Sequence, residues 1–171
     1  LLPLRFFVPI APRRLARAWH RADITLMRTF PERGDYVAEA VARGVDAAMI
    51  ERLVRAFYDD VRRDAVLGPI FEARIADWEP HLQRMIAFWS SVMLRSGTYH
   101  GRPMPMHARL PVSGAHFDRW LTLFEATAAR ECGAAAPLFV ERARMIAQSL
   151  ELGIAGTRGL ILNIGERLPA P

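Results

Sequence analysis

The chain has 171 residues, the size of one domain, with 51% apolar and 24% charged residues and a formal net charge of +5. That apolar content excludes general disorder, and no stretch approaches the ~18 uninterrupted apolar residues that a membrane-spanning helix needs. The charge does not point to nucleic acid: residues 1–45 hold eight Arg against four acids, residues 46–171 hold fifteen Arg against fourteen, and there is no Lys. Basic residues are not interleaved with exposed aromatics in the manner of single-strand binders.

Residues 1–45 stand apart, with Pro3, Pro9, Pro12 and Pro31 among scattered Arg, and are expected to be a disordered or loosely packed extension. The apolar stretch Phe6 to Ala11 precedes most of its charges and is broken by Pro9, the reverse of a secretory signal's order. A short basic amphipathic helix can be drawn from Leu15 to Met27, and could touch an anionic surface. Residues 46–155 read as one helical domain and residues 156–171 as a tail, whose Leu160-Ile161-Leu162 can pack on it.

Within the domain the apolar spacing is helical throughout. The spacing predicts a helix from Met49 to Asp64, with Ile50, Leu53, Val54, Phe57 and Val61 on one arc and Arg55, Asp59 and Arg62 outside it. Tyr58 lies at the arc's edge, where a ring can be buried while its hydroxyl faces an interior space. Leu67-Gly68-Pro69 turns the chain, and Phe71 follows. On a helix from Asp77 to Arg95, Met85 lies about 40° from His81 and Phe88 about 20° to the other side, at 100° per residue. Leu82, Ile86, Trp89 and Met93 form a second stripe that can pack on neighbouring helices.

Pro103, Pro105 and Pro111 leave room for only a very short helix around His107. Helices from about Ser113 to Cys132 and from Pro137 to Gly153 complete the domain, with Phe117, Trp120 and Phe124 on one face of the first. There is no strand signal, internal repeat, phosphate-binding glycine loop or CxxC pair. Cys132, the single cysteine, cannot form an internal disulfide, so the cytoplasm is the expected compartment.

Tyr58, His81 and Trp120 are polar-tipped side chains on the apolar sides of three helices. Burying such a group unpaired costs about 1–3 kcal/mol, so something should satisfy them. Spacing alone leaves two readings open: core aromatics with one hydrogen-bonded and one surface histidine, or side chains around a buried metal cofactor. No Cys cluster or compact His-carboxylate spacing suggests zinc, and no Ser or Cys stands in a nucleophile motif. His20, His100 and His116 remain, and spacing does not exclude a second histidine ligand at His116.

The local strings narrow the choice. Ala56-Phe57-Tyr58-Asp59-Asp60-Val61-Arg62, Leu67-Gly68-Pro69-Ile70-Phe71, Trp78-Glu79-Pro80-His81-Leu82, Phe88-Trp89, Tyr99-His100-Gly101-Arg102-Pro103, His107-Ala108-Arg109-Leu110-Pro111 and His116-Phe117-Asp118-Arg119-Trp120-Leu121 follow one another in order. Together they resemble the group III truncated haemoglobins over about residues 46–155. The resemblance implies an all-α truncated globin, a 2-over-2 helical sandwich around one haem b. It implies that His107 is the proximal iron ligand and that Tyr58, His81 and Trp120 line the distal pocket. Phe71, Met85, Phe88 and Trp89 would form the apolar wall, and Arg84 could pair with a propionate.

The expected function is binding of O₂, NO, CO or related diatomic ligands. Redox chemistry on them, such as NO dioxygenation or peroxide handling, would need an external reductase, because this chain has no flavin or nicotinamide motif. An oxygen buffer or sensor without turnover is the alternative, and a haem-free helical interaction module a third.

Overall fold

The structure is a computed structural model and describes residues 35–171. The drawn helix from Leu15 to Met27, and His20 with it, lie outside the described residues. Among the described residues seven α-helices follow in order: α1 (Asp35–Ala42), α2 (Ala47–Arg63), α3 (Gly68–Glu72), α4 (Trp78–Leu94), α5 (Pro103–His107), α6 (Gly114–Cys132) and α7 (Ala136–Thr157), with a 3₁₀ turn at Gly133–Ala135. No strand occurs among the described residues. Helix α2 packs on α4 and α6 on α7, and α2 against α6 joins the two pairs. This is the 2-over-2 arrangement of a truncated globin.

The helix limits follow from local chemistry. Asp46 starts α2 by accepting the Met49 N–H at 2.7 Å, and Asp77 starts α4 by accepting that of Glu79 at 3.2 Å, each satisfying a donor that the first helical turn leaves free. Ile50, Leu53, Val54, Phe57, Tyr58 and Val61 are the buried residues of α2. Each such apolar side chain contributes about 1.5–3 kcal/mol of transfer free energy. Helix α4 ends at Arg95, the one non-glycine residue with positive φ among those described, at 54°.

Two carboxylates fasten α2 to α6. Asp64, whose side chain is 3% exposed, meets the Arg119 guanidinium at 2.5 Å and accepts the Val66 and Leu67 N–H groups at 3.0 and 2.9 Å. One turn earlier, Asp60 accepts from Thr127 at 3.1 Å and Arg130 at 2.9 Å. The Asp64 turn leads into α3, the short helix that follows the expected chain reversal. There a Cβ on Gly68 would come within 2.9 Å of the Arg62 carbonyl oxygen, so the close approach requires glycine.

Residues on both sides of 46–155 pack on the helices between them. Residues 35–45, expected as part of a loose extension, include α1, which packs against α4. Ala40 is fully buried, and the Tyr36 hydroxyl donates to the Met93 sulfur at 2.9 Å. In the tail, Leu168 is 2% exposed whereas Leu160 and Ile161 are 38% and 90% exposed. Of the expected Leu160-Ile161-Leu162, only Leu162 packs on the small core around Leu168.

Candidate functional site

Three helices contribute polar-tipped rings and a fourth adds Phe71. Tyr58 of α2 meets His81 of α4 edge to face, with centroids 4.9 Å apart and planes at 89°. Phe71 of α3 lies 5.9 Å from Tyr58. Trp78 lies 6.1 Å from Tyr58 and 5.9 Å from His81. Asp77 makes this possible by starting α4 at Trp78, which puts Trp78 and His81 three residues apart on neighbouring turns. The Arg62 guanidinium covers Trp78 at 4.8 Å. Trp120 of α6 is reached through Phe57, which lies 5.1 Å from Tyr58 and 5.3 Å from Trp120. Trp120 also stacks on Phe124 at 5.2 Å.

Two polar atoms of this cluster are left open. His81 Nε2 and Trp78 Nε1 are buried without a hydrogen-bond partner, where such groups are normally paired. Burial pushes the Tyr58 hydroxyl above its ordinary pKa. Burial also pushes His81 down to about 4, with the positive charges of Arg84 and His107 acting in the same direction. His81 is thus a neutral imidazole at physiological pH, within electrostatic reach of His107.

His107 is held differently. It closes α5, a five-residue helix with proline in its first turn, where the missing N–H has no intrahelical partner to lose. His107 Nδ1 lies 2.7 Å from the Pro103 carbonyl oxygen. A carbonyl only accepts, so the proton is on Nδ1 and the Nε2 lone pair is free. Burial lowers the His107 pKa, and the Pro103 bond partly opposes that shift. Helix α5 is seated on α7 where the Met104 thioether lies over Gly153, in the space a Cβ would fill.

The remaining predicted residues divide. Phe71, Met85 and Phe88 are partly buried at the edge of the core, and Phe88 meets Tyr99 at 5.2 Å. Trp89 lies in the core itself, 3% exposed, stacked on Phe124 at 4.9 Å and tilted on Phe139 at 5.8 Å. Arg84 is exposed and has no ion pair among the described residues. His116 caps α6 by accepting the Ser113 N–H at Nδ1, 3.0 Å away, and His100 is exposed. Trp78 and Tyr99 are the residues that sequence reasoning missed. The i, i+3 spacing to His81 could have found Trp78.

A single free imidazole nitrogen on one side and buried donors without partners on the other suit a planar prosthetic group that carries its own iron and takes an axial ligand from the protein. Among the described residues no group of three or more His, Cys, Asp or Glu could hold a bare metal ion. The donor set and the helix order define a globin of the truncated kind. The chain belongs to the bacterial-like globin family, whose model matches residues 42–150. It is 36% identical over 86 residues to the group 3 truncated hemoglobin ctb of Campylobacter jejuni subsp. jejuni serotype O:2, covering 47% of this chain and 68% of that one. The crystal structure of a group III truncated hemoglobin from Campylobacter jejuni superimposes with a TM-score of 0.60 at 30% identity, over 71% of this chain and 95% of the other. Membership implies haem binding and small diatomic ligands. No helix among the described residues is long and apolar enough to cross a membrane.

Proposed function

We propose that the protein holds one haem b through His107 Nε2 and carries out redox chemistry on small ligands, NO dioxygenation or peroxide handling, with an external reductase in the cytoplasm. The observation that carries this reading is the contrast between the paired Nδ1 of His107 and the unpartnered His81 Nε2 and Trp78 Nε1. Haem supplies a redox-active iron that binds diatomic ligands or peroxide. Phe71, Met85, Phe88 and Trp89 form or back its apolar wall, and Arg84, exposed and unpaired, takes a propionate.

Tyr58 and Trp120 donate hydrogen bonds to the ligand, from O–H and indole N–H. His81 donates or gates, as a neutral imidazole. Donors aimed at developing negative charge in a site sheltered from water contribute far more than they would in solution. Several donors on one small ligand oppose its release, which disfavours delivery, and they can orient the ligand for attack or polarise an O–O bond.

The test is NO consumption and peroxide turnover by the haem-loaded protein with a generic reductant, beside the O₂ off-rate. Turnover in either assay with slow O₂ release is the expected result. Fast release with negligible turnover in both would favour an oxygen buffer or sensor. Failure to take up haem, read from absorption spectra of the ferric, ferrous and CO-bound forms, would favour a helical interaction module.

A further inference from the structure

The segment that follows His107 is fastened by the tail. Arg158, which closes α7, donates from Nη2 to the carbonyl oxygens of Leu110 and Val112 at 3.0 and 2.9 Å, and from Nη1 to that of Pro169 at 3.2 Å. The Leu110 N–H donates in turn to the His107 carbonyl at 3.0 Å, so one guanidinium reaches the His107 backbone through a single intervening residue. A second fastening lies beside it. The Gly114 N–H donates to the Leu168 carbonyl at 2.7 Å, and Leu168 packs with Val112, Ile154 and Ala155 in a small core of their own.

The tail itself is fixed. The Leu168 N–H donates to the buried Glu151 carboxylate at 2.6 Å. Arg167 donates to Glu151 at 2.9 Å, to Asp118 at 2.7 Å and to the Gly114 carbonyl at 3.0 Å. A buried carboxylate held by an arginine and a backbone N–H is costly to disturb, because removing one partner leaves an uncompensated charge. Arg158, Arg167 and Leu168 lie beyond residues 42–150, the span of the family match, and Glu151 directly follows it.

We propose that Arg158 is a positioning residue for His107, and that the tail from Arg158 to Leu168 is a strap fixing the orientation of the proximal imidazole. The proposal rests on the reading of His107 as the haem ligand. The Pro103 bond fixes the ring relative to α5, but a five-residue helix is too short to hold its own direction. That direction is set at its two flanks. One is Met104 over Gly153, and the other is the Arg158 bridge, five residues further along the same helix α7. Charge-assisted bonds from one planar guanidinium to two carbonyls hold that flank more firmly than neutral bonds do.

The test compares full-length Arg158→Met, Arg158→Lys and His107→Gly with the wild type. Two quantities are read: amide hydrogen exchange at Leu110 and Gly114 in the haem-free protein, and the iron–histidine stretching band of the ferrous haem-loaded protein by resonance Raman. Arg158→Met is expected to speed exchange about tenfold or more, the loss of a charge-assisted bond, and to shift or broaden the band at unchanged haem content. Arg158→Lys, which keeps the charge and fewer donors, should restore part of both.

Faster exchange with an unchanged band would overturn the positioning role, and unchanged exchange would overturn the strap. Persistence of the band in His107→Gly would overturn the ligand reading and the positioning role with it, while exchange would still report the strap separately. Should Arg158→Met fail to fold, Arg167→Gln loosens the other end of the strap and carries the same two expectations, and an unchanged band there counts equally against the proposal.

Discussion

His81 and His107 lie within electrostatic reach of each other, yet their surroundings are opposite. The His107 side is fastened throughout: its Nδ1 is bonded to Pro103 at 2.7 Å, its helix is seated on Gly153, and its following loop is bridged by Arg158. Around His81 the enclosure is aromatic, and His81 Nε2 and Trp78 Nε1 have been left without partners. A group that must hold one axial direction needs every neighbouring bond made. A pocket that must admit and grip a small molecule needs donors whose bonds are not yet made. Unsatisfied groups cost stability, and on the proposed reading ligand binding offsets that cost.

The most forceful way to break this comparison is to remove His107. His107→Gly is expected to abolish the iron–histidine bond and most haem retention, because among the described residues no second histidine has Nδ1 bonded to a backbone carbonyl and Nε2 left free. Absorption spectra of the ferrous and CO-bound forms read the result. A normal proximal ligation in this variant, with loss in His116→Ala, would reverse the assignment, although His116 Nδ1 already caps α6.

The next largest effect belongs to the aromatic side. Tyr58→Phe and Trp120→Phe keep ring packing and delete a donor, so stopped-flow O₂ dissociation should quicken roughly ten- to a hundredfold for a lost bond worth about 1.5–3 kcal/mol. The ring contacts make Tyr58 the stronger of the two, since it touches His81 directly and Trp120 is reached through Phe57. Unchanged rates in both variants would make these side chains core and erase the contrast between the two sides.

Much of this was legible in the chain because it depends on local pattern. The apolar arc of α2 identified its buried face, with Tyr58 at the edge. The prolines around His107 announced a helix of a single turn or so, and the structure has Pro103–His107. The strings from Ala56 to Leu121 indicated the family. What escaped depends on contacts between distant residues. Helix α1 lies in a proline- and arginine-bearing region that reads as a loose extension, and its burial rests on Ala40 and on Tyr36 meeting Met93. The tail is anchored by Arg167 on Glu151, sixteen residues away, and nothing in its composition announces that. Trp89 belongs to the helix stripe that packs on neighbours, and its stacking on Phe124 depends on a residue 35 positions away that the stripe alone does not name.

A smaller effect sharpens the comparison from behind the aromatic side. Asp64 fixes the turn into α3, which brings Phe71 against Tyr58. The Arg119 guanidinium, helped by the Leu67 and Val66 N–H groups, holds the Asp64 carboxyl below its ordinary pKa against the opposing effect of burial. The stability it contributes is therefore present above the unfolded value of about 4 and is lost as pH falls through the lower folded value. Asp64→Asn should cost about 1–3 kcal/mol at neutral pH and flatten the acid limb of a urea-unfolding series. An unchanged acid limb would show that the turn does not rely on the charge.

The smallest effect expected is a shift in the pH dependence of the haem-free protein, and it separates the two histidines most directly. His81 has an ordinary value near 6.5 and is pushed down to about 4 by burial first and then by Arg84 and His107. Above about pH 7.5, a unit over the ordinary value, both folded and unfolded His81 are neutral and stability does not depend on this group. As pH falls from there toward 4 the unfolded chain takes up a proton that the folded protein refuses, so stability declines across that window. Below it both states are protonated and the loss is complete. His107 shifts in the same direction, but its bond to the Pro103 carbonyl opposes the shift, whereas no bond opposes it at His81. His81→Leu should therefore flatten the decline more than His107→Leu does, in urea midpoints measured at pH 7, 6, 5 and about 4. An equal or larger flattening in His107→Leu would mean that the Pro103 bond does not fasten that imidazole, and the division into an open side and a fastened side would fail at its central pair.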